Sequence, residues 1–139
     1  MDAFKYKEDK LHCEDANLSE IASNFGTPAY VYSKKALTEN ALMYVNSFTS
    51  SDNMACFSVK SLSNLSVLKL LKEVGCGFDV VSGGEMHRAL SVGADPKSII
   101  FSGVGKSSDE IKQGILNNIL SFNVESVSEL YRIEAIAKK

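Results

Sequence analysis

Three residues of this 139-residue chain combine a reactive side chain with a place at or just beyond the end of an apolar run: Lys60 in CFSVK, Asp79 in GFDVV and Glu85 in SGGE. A lysine amine that is desolvated and lowered in pKa can attack a carbonyl and hold a carbonyl-bearing group covalently as a Schiff base. Asp79 at the next run end would supply a countercharge, and Asn123 and Glu125 further on would add polar company. The same spacing also describes a solvated lysine that closes a strand, since lysine is seldom buried unless paired. Both readings of Lys60 stand at this level. Glu85 is shared in the same way, between that site and a helix cap formed with Ser82.

Other motifs resolve into turns. SGVGKSS, residues 102–108, has the look of a nucleotide loop, but the pattern needs a glycine five residues before Gly105, where Ile100 stands. Gly103 and Gly105 are assigned instead to a tight turn ahead of a capped helix. SGGE leaves helix-start amides open to an anion, or simply turns a strand into a helix. His12 and His87 stand alone, and Cys13, Cys56 and Cys76 share no CxxC spacing, so neither a metal site nor a disulfide framework is expected. The cysteines read as reduced thiols, with Cys56 and Cys76 assigned to packing.

The elements that must position these side chains repeat. Four times a short apolar strand passes through a polar turn into a helix: MACFSVK into 64–74, GFDVV into 84–92, SIIFS into 108–117 and ILSFNV into 127–138. Strands alternating with helices of this length predict βαβ units in a parallel sheet. Ser82 with Glu85, Ser107 with Glu110 and Ser126 with Glu129 each have the spacing of a reciprocal capping box. Upstream, LSEIASNFG predicts a helix over 18–26, with Asn17 and Glu20 in capping-box spacing and Gly26 at its end. TPAYVYS predicts a strand entered through Pro28, and Leu37, Ala41, Leu42 and Val45 carry a helix from Ser33 to about Ser47.

The strands FSVKS, FDVVS and FNVES share the pattern Phe-x-Val-x-Ser, which suggests one repeated βα architecture. Alternation puts Phe57, Val59, Phe78, Val80, Phe122 and Val124 on one face, under the helices. Ser58, Lys60, Asp79, Asn123 and Glu125 then share the opposite face. Polar residues at strand C-termini on an inner face fit a β/α barrel better than an open sheet, because a barrel mouth carries its chemistry there.

Charge excludes some partners. Lys+Arg number 15 and Asp+Glu 17, interspersed along the chain, for a formal net charge of -2, so no basic patch offers itself to nucleic acid. No stretch approaches the roughly 18 apolar residues of a membrane span, and MDAFKYKEDK lacks the apolar core of a signal peptide. A cytoplasmic protein with a small-molecule or protein partner is expected.

The segments LHCEDANLSEIASNFGTPAYVYS, CFSVKSLSNLSVLKLLKEVGCGFDVVSGGEMHRALSVGADPKSIIFSGVGKS and FNVESVSEL together resemble, in order and spacing, the fold-type III pyridoxal-phosphate-dependent amino-acid decarboxylases. That family's cofactor lysine lies in a Tyr-Ala-x-Lys-Ala-Asn strand end, matched here by Phe57-Ser58-Val59-Lys60-Ser61-Leu62. The resemblance thus gives Lys60 the Schiff-base role and places Asp79 and Glu85 near the cofactor. Ser58, Ser61 and Leu62 depart from the pattern, and Ser58 and Leu62 are expected to alter the pocket lining without removing the lysine. An alanine racemase is disfavoured, since its lysine precedes an Ala-Tyr-Gly-His-Gly stretch and Lys60 precedes Ser-Leu-Ser-Asn-Leu.

The resemblance implies an α/β fold: about four βα units of a (β/α)8 barrel of the alanine racemase and ornithine decarboxylase type, spanning 33–139, after a segment 1–32 that belongs to a β-domain. It implies pyridoxal 5'-phosphate as cofactor, an amino-acid substrate and a homodimer in the full-length family. The implied activity is decarboxylation of meso-2,6-diaminopimelate to L-lysine, with ornithine, arginine or carboxynorspermidine as alternative substrates, or a non-catalytic cofactor-binding or partner-binding role. Four units of eight are expected of a truncated chain, inactive alone and prone to self-association through unpaired sheet edges.

Overall fold

The computed structural model describes residues 3–47 and 53–139. It opens with a small antiparallel sheet, β1 (Phe4–Lys7), β2 (Lys10–Cys13) and β3 (Ala16–Asn17), in that order. Helix α1 (Leu18–Phe25) follows, capped by Asn17, whose side chain accepts from Ser19 N rather than entering a reciprocal box with Glu20. Gly26 ends it at φ +83°, a left-handed conformation that only glycine adopts without strain. Helix α2 (Lys34–Val45) starts at Ser33, whose hydroxyl accepts from Ala36 N and donates to Glu14 Oε1 at 2.7 Å. That carboxylate also accepts from Lys35 N at 2.9 Å, tying the N-terminal sheet to α2.

The expected strand at TPAYVYS is absent. Residues 27–33 pair with no ladder, and Tyr30 is 89% exposed. An alternating sequence becomes a strand only where a neighbouring backbone completes its hydrogen bonds, and among the described residues none does.

The four expected βα units are present, as β4 (Cys56–Ser58) with α3 (Leu65–Glu73), β5 (Gly77–Val80) with α4 (Gly83–Ser91), β6 (Ile99–Phe101) with α5 (Ser108–Leu116), and β7 (Ser121–Phe122) with α6 (Val127–Ala137). The strands pair in parallel in the order β4-β5-β6-β7. Phe78, Val80, Ile99 and Phe101, aligned across β5 and β6, are completely buried, together with Val59 and Leu68. The helix residues Leu71, Met86, Ala89 and Ile111 are buried as well, so one sheet face and the inward stripes of α3, α4 and α5 form the core. Gly77 is required by packing, because a Cβ there would lie 2.6 Å from Ser98 O and 2.7 Å from Met54 Sδ.

Several local expectations are corrected. β4 stops at Ser58, and Val59–Ser61 form a 3-10 turn, so Lys60 lies just past the strand rather than on it. β7 is two residues long, which leaves Val124 42% exposed instead of packed under helices, and leaves Asn123 and Glu125 beyond the strand. Of the three Ser-x-x-Glu pairs, only Ser107 and Glu110 form the reciprocal box. Cys13 and Cys76 are buried, whereas Cys56 is only half-buried. Burial raises all three thiols above their ordinary pKa, Asp79 adding to the effect on Cys56 and Glu14 to that on Cys13.

Candidate active site

The candidate residues gather at the C-terminal ends of the parallel strands. Ser58 is the register partner of Asp79, so Lys60 lies two residues beyond the β4–β5 pair that holds Asp79. Lys60 is exposed, and its ammonium has no hydrogen bond or ion pair among the described residues. The 3-10 turn that carries it is closed by Leu62 N to Val59 O at 3.1 Å and by Ser61 Oγ to Ser58 O at 2.7 Å. The turn lifts the lysine off the sheet while Val59, wholly buried beneath it, fixes the base.

Asp79 is half-buried and accepts a short hydrogen bond from Ser102 Oγ through Oδ1. Ser102 Oγ in turn accepts from Asn123 Nδ2 at 2.9 Å. Sequence reasoning placed Asp79 and Asn123 on this face but missed Ser102. The signal was available: carrying the Ser58–Asp79 register two residues on brings Ser102, just past β6, level with Lys60 and Asn123.

Glu85 sits at the third position of α4, where its backbone N donates to Ser82 Oγ at 3.2 Å. Its own carboxylate accepts from Val81 N at 2.8 Å, one residue upstream of the expected Ser82 amide. Glu85 therefore braces the turn that leaves β5 immediately after Asp79. Glu129 repeats this geometry, accepting from Glu125 N at 2.9 Å, and Glu125 itself is exposed. Glu110 closes its own box and also accepts from Gly83 N at 2.7 Å, which links the α4 and α5 turns. That bond from Gly83, followed by those from Ser107, holds the Glu110 carboxyl below its ordinary pKa.

Lys106, set aside with the failed nucleotide loop, is buried. Its ammonium donates to Gly103 O at 2.6 Å, Asn123 O at 2.8 Å and Glu129 Oε1 at 2.7 Å, using all three protons. Gly103 has φ +94°, the turn expected of it. Among the described residues no group of three or more His, Cys, Asp or Glu side chains could hold a metal, and no helix is long and apolar enough to cross a membrane.

A second feature adjoins the edge of β4 that pairs with no strand among the described residues. Leu37, Ala41, Tyr44, Phe57 and Leu71 line a largely apolar cleft of about 470 Å³, which Ser58 also borders. The Ser58 hydroxyl is buried without a hydrogen-bond partner, a costly state for a polar atom.

A parallel α/β sheet with a free lysine, a half-buried aspartate and a glutamate-braced turn at its strand ends is the framework in which residues 33–139 match the family described as pyridoxal-dependent decarboxylase, pyridoxal binding domain. The chain belongs to that family. It is 44% identical over 137 residues to the diaminopimelate decarboxylase of Haemophilus influenzae, covering 99% of this chain and 33% of the relative. The structure of the diaminopimelate decarboxylase from M. jannaschii in complex with L-lysine superposes with a TM-score of 0.91 at 35% identity, over 99% of this chain and 33% of that one. The Helicobacter pylori diaminopimelate decarboxylase, also in complex with L-lysine, superposes at 0.84 with 43% identity, over 88% and 31% of the two chains. The chain thus spans about a third of the length of the curated relatives it matches.

Proposed function

We propose that this chain is the cofactor-holding part of a decarboxylase that converts meso-2,6-diaminopimelate to L-lysine in the cytoplasm, with pyridoxal 5'-phosphate carried on Lys60. The observation that carries the reading is the state of Lys60: an amine with no internal partner, set beyond the strand pair that holds Asp79. The residues fit the group. An aldehyde-bearing cofactor needs an unpaired amine, and the buried Ser58 hydroxyl, without a protein partner, has hydrogen-bonding capacity left for a ligand. The bound cofactor supplies the sink for the electrons that a departing carboxylate leaves behind.

The chain's own residues have narrower tasks. Lys60 holds the cofactor through Nζ and, once released, moves a proton at that atom. Asp79, fixed by Ser102, sets a negative charge beside the site, and Glu85 keeps the turn after β5 in place by accepting from Val81 N. The sequential strand order, with one sheet face under the helices, supports reading 33–139 as four units of a (β/α)8 barrel, whose sheet would continue from the open edges of β4 and β7. The separate antiparallel sheet supports assigning 1–32 to a β-domain, and the same open edges support a homodimer or a larger protein as the working unit. The complexes of two similar enzymes with L-lysine support the diamino acid as substrate.

Incubation with pyridoxal phosphate, borohydride reduction and peptide mapping, with Lys60→Ala in parallel, tests the reading. Label concentrated on Lys60 and lost in the variant supports it, and equal labelling of both proteins overturns it. Carbon dioxide released from meso-diaminopimelate, and not from ornithine, arginine or carboxynorspermidine, by a protein carrying this chain would establish the substrate.

A further inference from the structure

The Ser102 hydroxyl lies between an acceptor and a donor. A carboxylate can only accept and an amide N–H can only donate, so Ser102 Oγ must give its proton to Asp79 Oδ1 and take one from Asn123 Nδ2. The row crosses the ends of three adjacent strands, β5, β6 and β7. It is backed by one buried charge, since the Lys106 ammonium donates to Gly103 O, next to Ser102, and to Asn123 O. The Asp79 carboxylate has no other hydrogen bond or ion pair among the described residues.

We propose that Ser102 is a positioning residue that presents the Asp79 carboxylate to the site beside Lys60, with Asn123 orienting the Ser102 hydroxyl for that task. The proposal rests on the reading of Lys60 and Asp79 as cofactor-side residues. Without the hydroxyl, the carboxylate loses the contact that selects its rotamer, and the Asn123 amide loses its acceptor. Ser102 itself acts through Asp79.

The experiment uses the 139-residue chain as wild type, Ser102→Ala and Ser102→Thr. Two quantities are followed: pyridoxal phosphate affinity by absorbance titration, and hydrogen exchange of the Asn123 side-chain amide by NMR without cofactor. Ser102→Ala should bind the cofactor about tenfold more weakly, as when the carboxylate rotamer presented to the site falls to about one in ten of the population, and should exchange the Asn123 amide faster. Ser102→Thr keeps the hydroxyl and should restore both. A Ser102→Ala chain with wild-type affinity, or a threonine variant no better than alanine, overturns the proposal and leaves the cofactor reading standing. A wild-type chain that takes no label on Lys60 overturns the cofactor reading and the task assigned to Ser102 with it, while the exchange rates then show only whether the row itself is held.

Discussion

Lys106 Nζ and Glu129 Oε1 meet at 2.7 Å with their side chains 0% and 7% exposed. Bringing two charges out of water is offset only when every remaining donor and acceptor is used. Here the ammonium reaches two backbone carbonyls as well as the carboxylate, and the second carboxylate oxygen accepts from Glu125 N. The pair joins the turn after β6 to the start of α6, 23 residues away. Arg132 adds a bond from Nη1 to Lys106 O at 3.1 Å.

Breaking the pair from one side should be costly. Lys106→Met leaves Glu129 charged and buried, and should lower unfolding free energy by about 3–5 kcal/mol. The double variant Lys106→Met with Glu129→Leu removes both charges and should recover most of that loss. Urea unfolding of the three proteins measures this, and a double variant as unstable as the single would show that packing, not the stranded charge, sets the cost.

Acid should destabilise the chain through its capping glutamates. Burial pushes the Glu129 carboxyl up, but the Lys106 hydrogen bond, the Glu125 amide and the charges of Lys106 and Arg132 outweigh it and hold the group below its ordinary value of 4.5. Glu110 is lowered too, by the Gly83 and Ser107 bonds. A carboxyl depressed in the folded state contributes stability above its unfolded pKa, and loses it as pH falls through the folded value. The urea midpoint should therefore be flat near neutrality, fall progressively below the ordinary value of 4.5, and fall less steeply in Glu110→Gln.

Gly114→Ala should destabilise. In an exposed helix this change normally helps by about 0.5–1 kcal/mol, but a Cβ here would lie 2.5 Å from Phe122 Cζ and 3.1 Å from Ile119 Cδ1. The Phe122 ring is stacked on the buried Phe101 ring and has little freedom to yield. A loss of about 1–3 kcal/mol is expected, read as a lower melting temperature, and a gain would mean that the ring can move aside.

Lys60→Ala should separate chemistry from stability. The side chain is exposed and unpaired, so its removal should change unfolding free energy by no more than about 0.5 kcal/mol while abolishing borohydride-trapped label. A large loss of stability in this variant would assign Lys60 a structural role like that of Lys106.

The succession of the βα units, the N-caps at Ser82, Ser107 and Ser126, and the shared face of Phe78 and Val80 were all legible, because each rests on neighbours three or four residues apart or on strict alternation. The strand expected at TPAYVYS was not realised, since a strand exists only with a partner. The packing of Val124 failed for the same reason: alternation continued in sequence after β7 had lost its ladder.

The amino-acid sequence alone determined the periodicity, the caps, the placing of Lys60 and Asp79 at neighbouring strand ends and that of Glu85 in the first turn of the helix that follows, because these follow from local geometry and a repeated unit. Only the tertiary structure decided which carboxylate each donor meets: that Glu85 reaches Val81 rather than Ser82, that Ser102 joins Asp79 to Asn123, and that Lys106 is buried against Glu129. Those contacts span up to 23 residues. Their partners are chosen by how adjacent βα units stack and by the need to satisfy every polar group that the stacking buries.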